Sequence, residues 1–235
     1  MAMHSPSSRD AKLVLRGGHR YRSPERMAAG AKERRAYLAI KRMLDMTAAA
    51  IGLVLLAPLL LLVALLIKLE DPRGAVFFSQ TRIGKDGLPF RMFKFRSMVH
   101  NAEELLQELL ARNEIEGAMF KMKDDPRITR IGKFIRKTSI DELPQLLNVL
   151  RGEMSLVGPR PPLPREVAEY TAHDRQRLAV VPGCTGLWQV SGRNELSFAE
   201  MVELDLHYIR RRNTRFDLLI LLRTVKVLAG ARDAF

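Results

Sequence analysis

Residues Thr47–Ile67 read TAAAIGLVLLAPLLLLVALLI, an uncharged run with one proline near its middle. Its length matches the roughly 20 apolar residues that cross a bilayer core, so a transmembrane helix is the first reading. Pro58 opposes it, because it removes one backbone hydrogen bond and bends a helix away from residue 54. Both flanks are also basic: Lys32, Arg34, Arg35, Lys41 and Arg42 precede the run, and Lys68, Arg73, Arg82, Lys85 and Arg91 follow it. Positive flanks resist translocation, so neither end is marked as the outside one. A helix that enters, breaks at Ala57–Pro58 and returns to the same face satisfies both ends. The residues alone leave spanning and re-entry open.

Outward from this run, residues 1–36 mix Ser, Pro, Gly and Arg without periodicity and read as a mobile basic N-terminal tail with no signal-peptide core. The whole chain of 235 residues carries a formal charge of +13, which favours an anionic membrane, phosphorylated substrates or nucleic acid as partners. One cysteine, Cys184, excludes an intrachain disulfide. With no neighbouring His evident, Cys184 is a poor candidate nucleophile.

Beyond the run, AVFFSQTRIGKDGLPFRMFKF predicts two short strands around a Lys85-Asp86-Gly87 turn. NAEELLQELLARNEIEG places Leu105, Leu106, Leu109 and Leu110 at helical spacing, with Gly117 as a stop. Lys121, Lys123, Arg127, Arg130, Lys133, Arg136 and Lys137 form a basic stretch that leads into RKTSIDELPQLLNVL, Arg136–Leu150. Leu143, Leu146, Leu147 and Leu150 predict a helix ended by Gly152. Its start can be drawn with Ser139 and Glu142 as a capping box, or with Asp141 as the cap and Pro144 at the third helical position. MSLVGPRPPLP is a stiff proline-rich loop presenting Arg160, and Pro182–Glu195 is a glycine-rich loop with the sole Trp. The last forty residues predict one or two helices, FAEMVELDLHYIRRRN amphipathic and FDLLILLRTVKVLAG leucine-rich, the latter packing on the core or lying at an interface.

Several chemistries lack their motifs. There is no G-x-x-x-x-G-K-[ST], no strand-linked G-x-G-x-x-G, no H-E-x-x-H and no Cys/His cluster. A glycosidase needs carboxylates on opposite sides of a bond, which adjacent residues of one helical turn cannot provide. Asp141 and Glu142 can instead share one small site, a carboxylate attacking phosphorus while its neighbour holds Mg²⁺ completed by substrate phosphates. This predicts a membrane-associated, Mg²⁺-dependent phosphoryl transfer. A membrane-anchored basic interaction or nucleic-acid-binding protein without catalysis is the alternative, weakened by few aromatic residues for base stacking.

From about Lys41 to Leu228 the chain resembles the bacterial sugar transferases, the small monotopic phosphoglycosyl transferases. The resemblance rests on KRMLD, FFSQTRIGKDGLPFRMFKFRSM, DPRITRIGKFIRKTSIDELPQLLNVLRGEMSLVGPRP, PGCTGLWQVSGRNELSF and DLLILLRTVKVL, in that order. It implies an α+β, mostly helical fold, a small hairpin plus amphipathic helices on a re-entrant membrane helix. The implied organisation is a tail (1–36), a proline-broken membrane helix (37–70) and a cytoplasmic catalytic domain with interfacial helices (71–235). The implied reaction moves a sugar 1-phosphate from a UDP-sugar to undecaprenyl phosphate at the cytoplasmic face of the bacterial inner membrane, the first membrane step of exopolysaccharide or O-antigen synthesis. In that resemblance Asp141 matches the nucleophile that carries a covalent phosphosugar, Glu142 the Mg²⁺ partner, and Arg136 and Arg160 phosphate-binding arginines. Lys94 and Arg96 fall in a basic strand near the site. Nucleic acid is not an expected partner. The better-known members have Ser–Pro at the helix break where this chain has Ala57–Pro58.

Overall fold

One helix, α1 (Pro24–Glu70), carries the whole apolar run, with Pro58 inside it. The computed structural model describes residues 24–109, 122, 125–192 and 195–229, so residues 1–23, Gly117, Lys121, Lys123 and Asn194 lie outside the description. Two boundaries differ from expectation. The helix begins at Pro24, so the last third of the stretch read as a tail is helical, and the helix continues through Ala57–Pro58 where a break was expected. Among the described residues α1 is the one helix long and apolar enough to cross a membrane. Its middle is bare: Ile51, Val54, Leu55, Leu61 and Leu62 are all exposed.

The hairpin forms as predicted from its turn chemistry. Strands β1 (Phe77–Ile83) and β2 (Pro89–Phe95) pair antiparallel, Phe77 opposite Phe95 and Ile83 opposite Pro89. The turn between them puts Asp86 at φ 58° and Gly87 at φ 80°, the left-handed region that Gly and Asp tolerate. Helix α2 (Ala102–Leu109) follows, then α3 (Arg130–Lys137), so the basic stretch is partly helical. Thr129 caps α3 through its hydroxyl, and Glu70, the last residue of α1, accepts from the N–H groups of Arg130 at 2.7 Å and Ile131 at 3.0 Å. A carboxylate there satisfies two orphan donors and meets the positive end of the helix.

Neither drawing of the next helix is correct. Ile140–Glu142 form a separate 3₁₀ turn, and helix α4 (Gln145–Arg151) starts after Pro144, which is its cap. Ser139 makes no side-chain cap and sits at φ 56°. The proline explains the split, since its ring excludes an α-helical hydrogen bond at position 144 and favours the first turn of a new helix. Gly152 ends α4 at φ 83°, as expected.

A second sheet escaped the sequence. Strands β3 (Ser155–Val157) and β4 (Gly183–Thr185) pair in parallel, joining the proline-rich and glycine-rich loops. A Cβ on Gly183 would stand 2.0 Å from the Gly158 nitrogen, so only glycine permits this approach. Helix α5 (Pro164–Ala168) lies between them in sequence, and α6 (Phe198–Arg211) and α7 (Thr214–Ala229) close the chain. The fold is mostly helical with a small sheet, as expected.

Polar ties lock these pieces into one body. Asp217 of α7 accepts from Tyr37 at 2.9 Å, Lys41 at 3.0 Å and Tyr208 at 2.7 Å, binding α1, α6 and α7 together. Arg42 donates to the carbonyls of Val149 and Leu150 at the C-terminal end of α4, and Asp45 accepts from the Leu156 N–H at 3.1 Å. Asn148 is fully buried. It accepts from the Phe93 N–H at 3.0 Å and donates to the Arg91 carbonyl at 2.7 Å, so the outer edge of β2 is held by α4. Asn148→Leu leaves those two backbone groups buried and unpaired, at about 1–3 kcal/mol each. Urea unfolding of the detergent-solubilised protein is expected to show a loss of about 2–4 kcal/mol, whereas a surface change such as Lys85→Ala moves the midpoint little.

Candidate active site

Three elements converge on one cavity of about 910 Å³. The β2 strand and its continuation supply Lys94, Arg96 and Ser97, α3 supplies Arg136, and the 3₁₀ turn supplies Asp141 and Glu142. Alternation along β2 places Lys94 on the same sheet face as Met92, which packs against Val149 of α4. The clamp made by Asn148 therefore sets the distance between Lys94 and the carboxylates. Arg136 is steadied by a 2.8 Å bond from its Nε to the Ser97 hydroxyl. Ser139, at a left-handed φ costing about 1 kcal/mol for a residue with a Cβ, reverses the chain between α3 and the carboxylates.

Within this cavity the two acids have different surroundings. Lys94 Nζ lies 2.7 Å from Glu142 and 3.9 Å from Asp141, so Glu142 takes the ammonium. Asp141 is buried, and burial pushes its carboxyl up to about 6; the Glu142 charge adds to this, while Lys94 and Arg136 oppose it. Half-exposed Glu142 faces the open side. Asp141 is thus a buried ionisable carboxyl with Lys94 at 3.9 Å and the Arg136 charge nearby.

The other expected residues divide. Arg96 lines the cavity yet is committed elsewhere, donating to the carboxylate and carbonyl of Asp71. Arg160 is exposed and does not line the cavity. It stands beside Arg82, whose guanidinium is lowered to about 10 by burial and then by the Arg160 charge, and which also feels Glu142. Arg82 donates to the Pro161 carbonyl at 3.1 Å and to Gln80 Oε1 at 2.7 Å, fixing the Arg160 loop against the hairpin. Cys184 lines the cavity with its thiol pushed up by burial to about 12, consistent with an inert cysteine. Pro58 is far along α1 and takes no part in the cavity lining.

Ser97, Arg82, Gln80, Gln145 and Asn148 were not foreseen. Asn148 carried a signal, a polar residue inside the leucine-rich pattern of α4. The others owe their place to contacts between distant segments, which no local pattern encodes.

Magnesium fits this donor set in part. Carboxylates on consecutive residues suit a cation that completes its octahedron with water and substrate phosphates. Among the described residues no group of three or more His, Cys, Asp or Glu side chains gathers to hold a metal. Glu142 and Asp141 are the residues that would hold it, with Lys94 already drawn to the same negative spot.

Comparison with known proteins identifies the chain's relatives. The profile of the bacterial sugar transferase family matches residues 36–231. The exopolysaccharide production protein ExoY of Sinorhizobium fredii is 42% identical over 199 residues, covering 83% of this chain and 88% of the relative. The UDP-galactose-lipid carrier transferase of Erwinia amylovora is 45% identical over 200 residues, covering 83% of this chain and 42% of that protein. The undecaprenyl-phosphate galactose phosphotransferase of Salmonella typhimurium is 43% identical over 200 residues, again 83% of this chain and 42% of the relative. The chain thus spans less than half of two of these relatives and most of the third.

Proposed function

Since the chain belongs to the bacterial sugar transferase family, we propose that it transfers a hexose 1-phosphate from a UDP-sugar to undecaprenyl phosphate, through a covalent phosphosugar on Asp141. The observation that carries this reading is the pairing of Lys94 with Glu142, which leaves the buried Asp141 carboxylate free to attack. In the first step an Asp141 oxygen attacks the sugar-bearing phosphorus and the bond to the other phosphate breaks, releasing UMP. In the second, an oxygen of the lipid phosphate attacks the same phosphorus, the bond to Asp141 breaks, and a lipid-linked diphosphate sugar leaves with the carboxylate restored. One phosphoanhydride is exchanged for another, so no further energy source is needed.

Arg136 and Lys94 face the charge that spreads over the phosphoryl oxygens, where fixed cations in a water-poor cavity act most strongly. Arg160, on the loop that Arg82 fixes, approaches the donor from the open side beside Glu142. Bound Mg²⁺ would supply further neutralisation of the diphosphate. A panel of UDP-sugars with undecaprenyl phosphate, scored by UMP release, tests the reaction and identifies the hexose; no release with any sugar rejects it.

The membrane arrangement that suits this chemistry is re-entry of α1 from the cytoplasmic face of the inner membrane. Asp45 and Glu70 both bind the same domain, at Leu156 and at Arg130–Ile131. A spanning helix would carry its two ends to opposite sides of a core about 30 Å thick. The bare apolar residues lie between those anchors, with Pro58 among them removing one hydrogen bond from the helix. Cysteines introduced as Gly30→Cys and Lys85→Cys, in a Cys184→Ala background, are expected to react with an impermeant maleimide only in inside-out vesicles. Labelling of the two from opposite faces would restore a spanning helix.

A further inference from the structure

The cavity has two halves. The polar half holds Lys94, Arg136, Asp141 and Glu142, and the other is walled by Leu146, Leu156, Trp188, Leu221 and Leu228. Leu221, Thr224 and Leu228 recur at helical spacing along one face of α7, so they form a continuous stripe. No cation lines this part. The Thr185 and Thr224 hydroxyl oxygens lie 2.8 Å apart, and the Thr224 hydroxyl donates to the Ile220 carbonyl at 2.8 Å.

The position of the apolar half points to its occupant. Leu228 lines the cavity and is also exposed, on the same helix as bare Leu218, Leu222 and Val225. Leu146, also in the lining, packs over Gly52 of α1, where an added Cβ would come within 3.3 Å of its side chain. Gly52 lies six residues before Pro58, at the start of the bare apolar stretch. The cavity lining therefore runs from the carboxylates to Leu228, on a helix whose outward surface is hydrocarbon-like.

We propose that this half is the channel for the first isoprenoid units of the acceptor lipid, entered from the bilayer past Leu228 and ending with the lipid phosphate beside Asp141. This rests on the reading of the site as a phosphosugar transferase. Lipid and nucleotide donor then approach Asp141 from different sides, the donor past the Arg160 loop and the acceptor along α7, so each half-reaction has its own entrance.

The test separates the half-reactions in the full chain reconstituted in nanodiscs. Exchange of labelled UMP into UDP-sugar reports the first step and needs no acceptor. Transfer to undecaprenyl phosphate and to a short, soluble polyprenyl phosphate reports the second. Leu221→Gln and Leu228→Glu are expected to raise the KM for undecaprenyl phosphate about tenfold or more and to flatten the preference for the long chain over the short one, while exchange stays within about twofold of wild type. Unchanged KM and unchanged chain-length preference overturn the channel. A parallel fall in exchange with a raised donor KM overturns it too, and gives the apolar half to the nucleotide. A photoreactive isoprenyl phosphate on wild-type protein is the check that needs no variant: crosslinks are expected in residues 218–228, and crosslinks confined elsewhere reject the channel. Failure of the underlying reading looks different, because wild type itself then shows no exchange with any UDP-sugar.

Discussion

Asp141→Asn is expected to abolish turnover, by at least about a thousandfold, and to leave no phosphosugar on the protein when donor is added alone. The amide keeps the size and most of the polarity of the carboxylate, so loss of activity cannot be assigned to a collapsed cavity. It also has no negative oxygen to attack phosphorus. Intact-mass measurement after rapid quenching with donor should show the adduct on wild type and none on the variant. Residual turnover above a hundredth of wild type would favour direct transfer with Asp141 as a base. The adduct on wild type should appear without acceptor and vanish on adding the lipid phosphate, an order that a single-displacement mechanism does not produce.

Glu142→Gln carries the second largest effect, by a different route. The native pair holds Lys94 2.7 Å from Glu142 and 3.9 Å from Asp141. Removing the Glu142 charge releases the ammonium towards Asp141, where it lowers the carboxyl and occupies the attacking oxygen. One of two anionic oxygens suited to a divalent cation is lost as well. The expected outcome is a fall in kcat of about 10²–10³, with the Mg²⁺ response displaced to much higher concentration. A Mg²⁺ titration superimposable on that of wild type would remove Glu142 from the metal's shell.

How far these residues could be read in advance depends on the range of the forces that place them. The hairpin was legible because Lys85-Asp86-Gly87 fixes its own backbone, with Asp86 and Gly87 in left-handed conformations. The leucine spacing of α4 and its end at Gly152 were legible for the same local reason. Its beginning was not. Two cap patterns competed in the sequence, and the chain adopted neither, because Pro144 opens a new helix and leaves the carboxylates on their own turn. The parallel β3–β4 pair was invisible: its strands are three residues each, too short for alternation, and the pairing depends on glycine backbones meeting across the chain. The acids were singled out by their chemistry and Arg136 and Arg96 through motif resemblance; all four line the cavity, Arg96 with a partner, Asp71, that the resemblance did not indicate. Nothing local to Arg82 announced that it would brace the loop of Arg160.

The knot at Asp217 ties together residues that lie 176 and 180 positions apart in the chain. A contact of that separation is slow to form, because the entropy of closing so long a loop is met before the contact rewards it. The side of the cavity that α7 lines is therefore completed by the same long-range tie that seats α7 on α1.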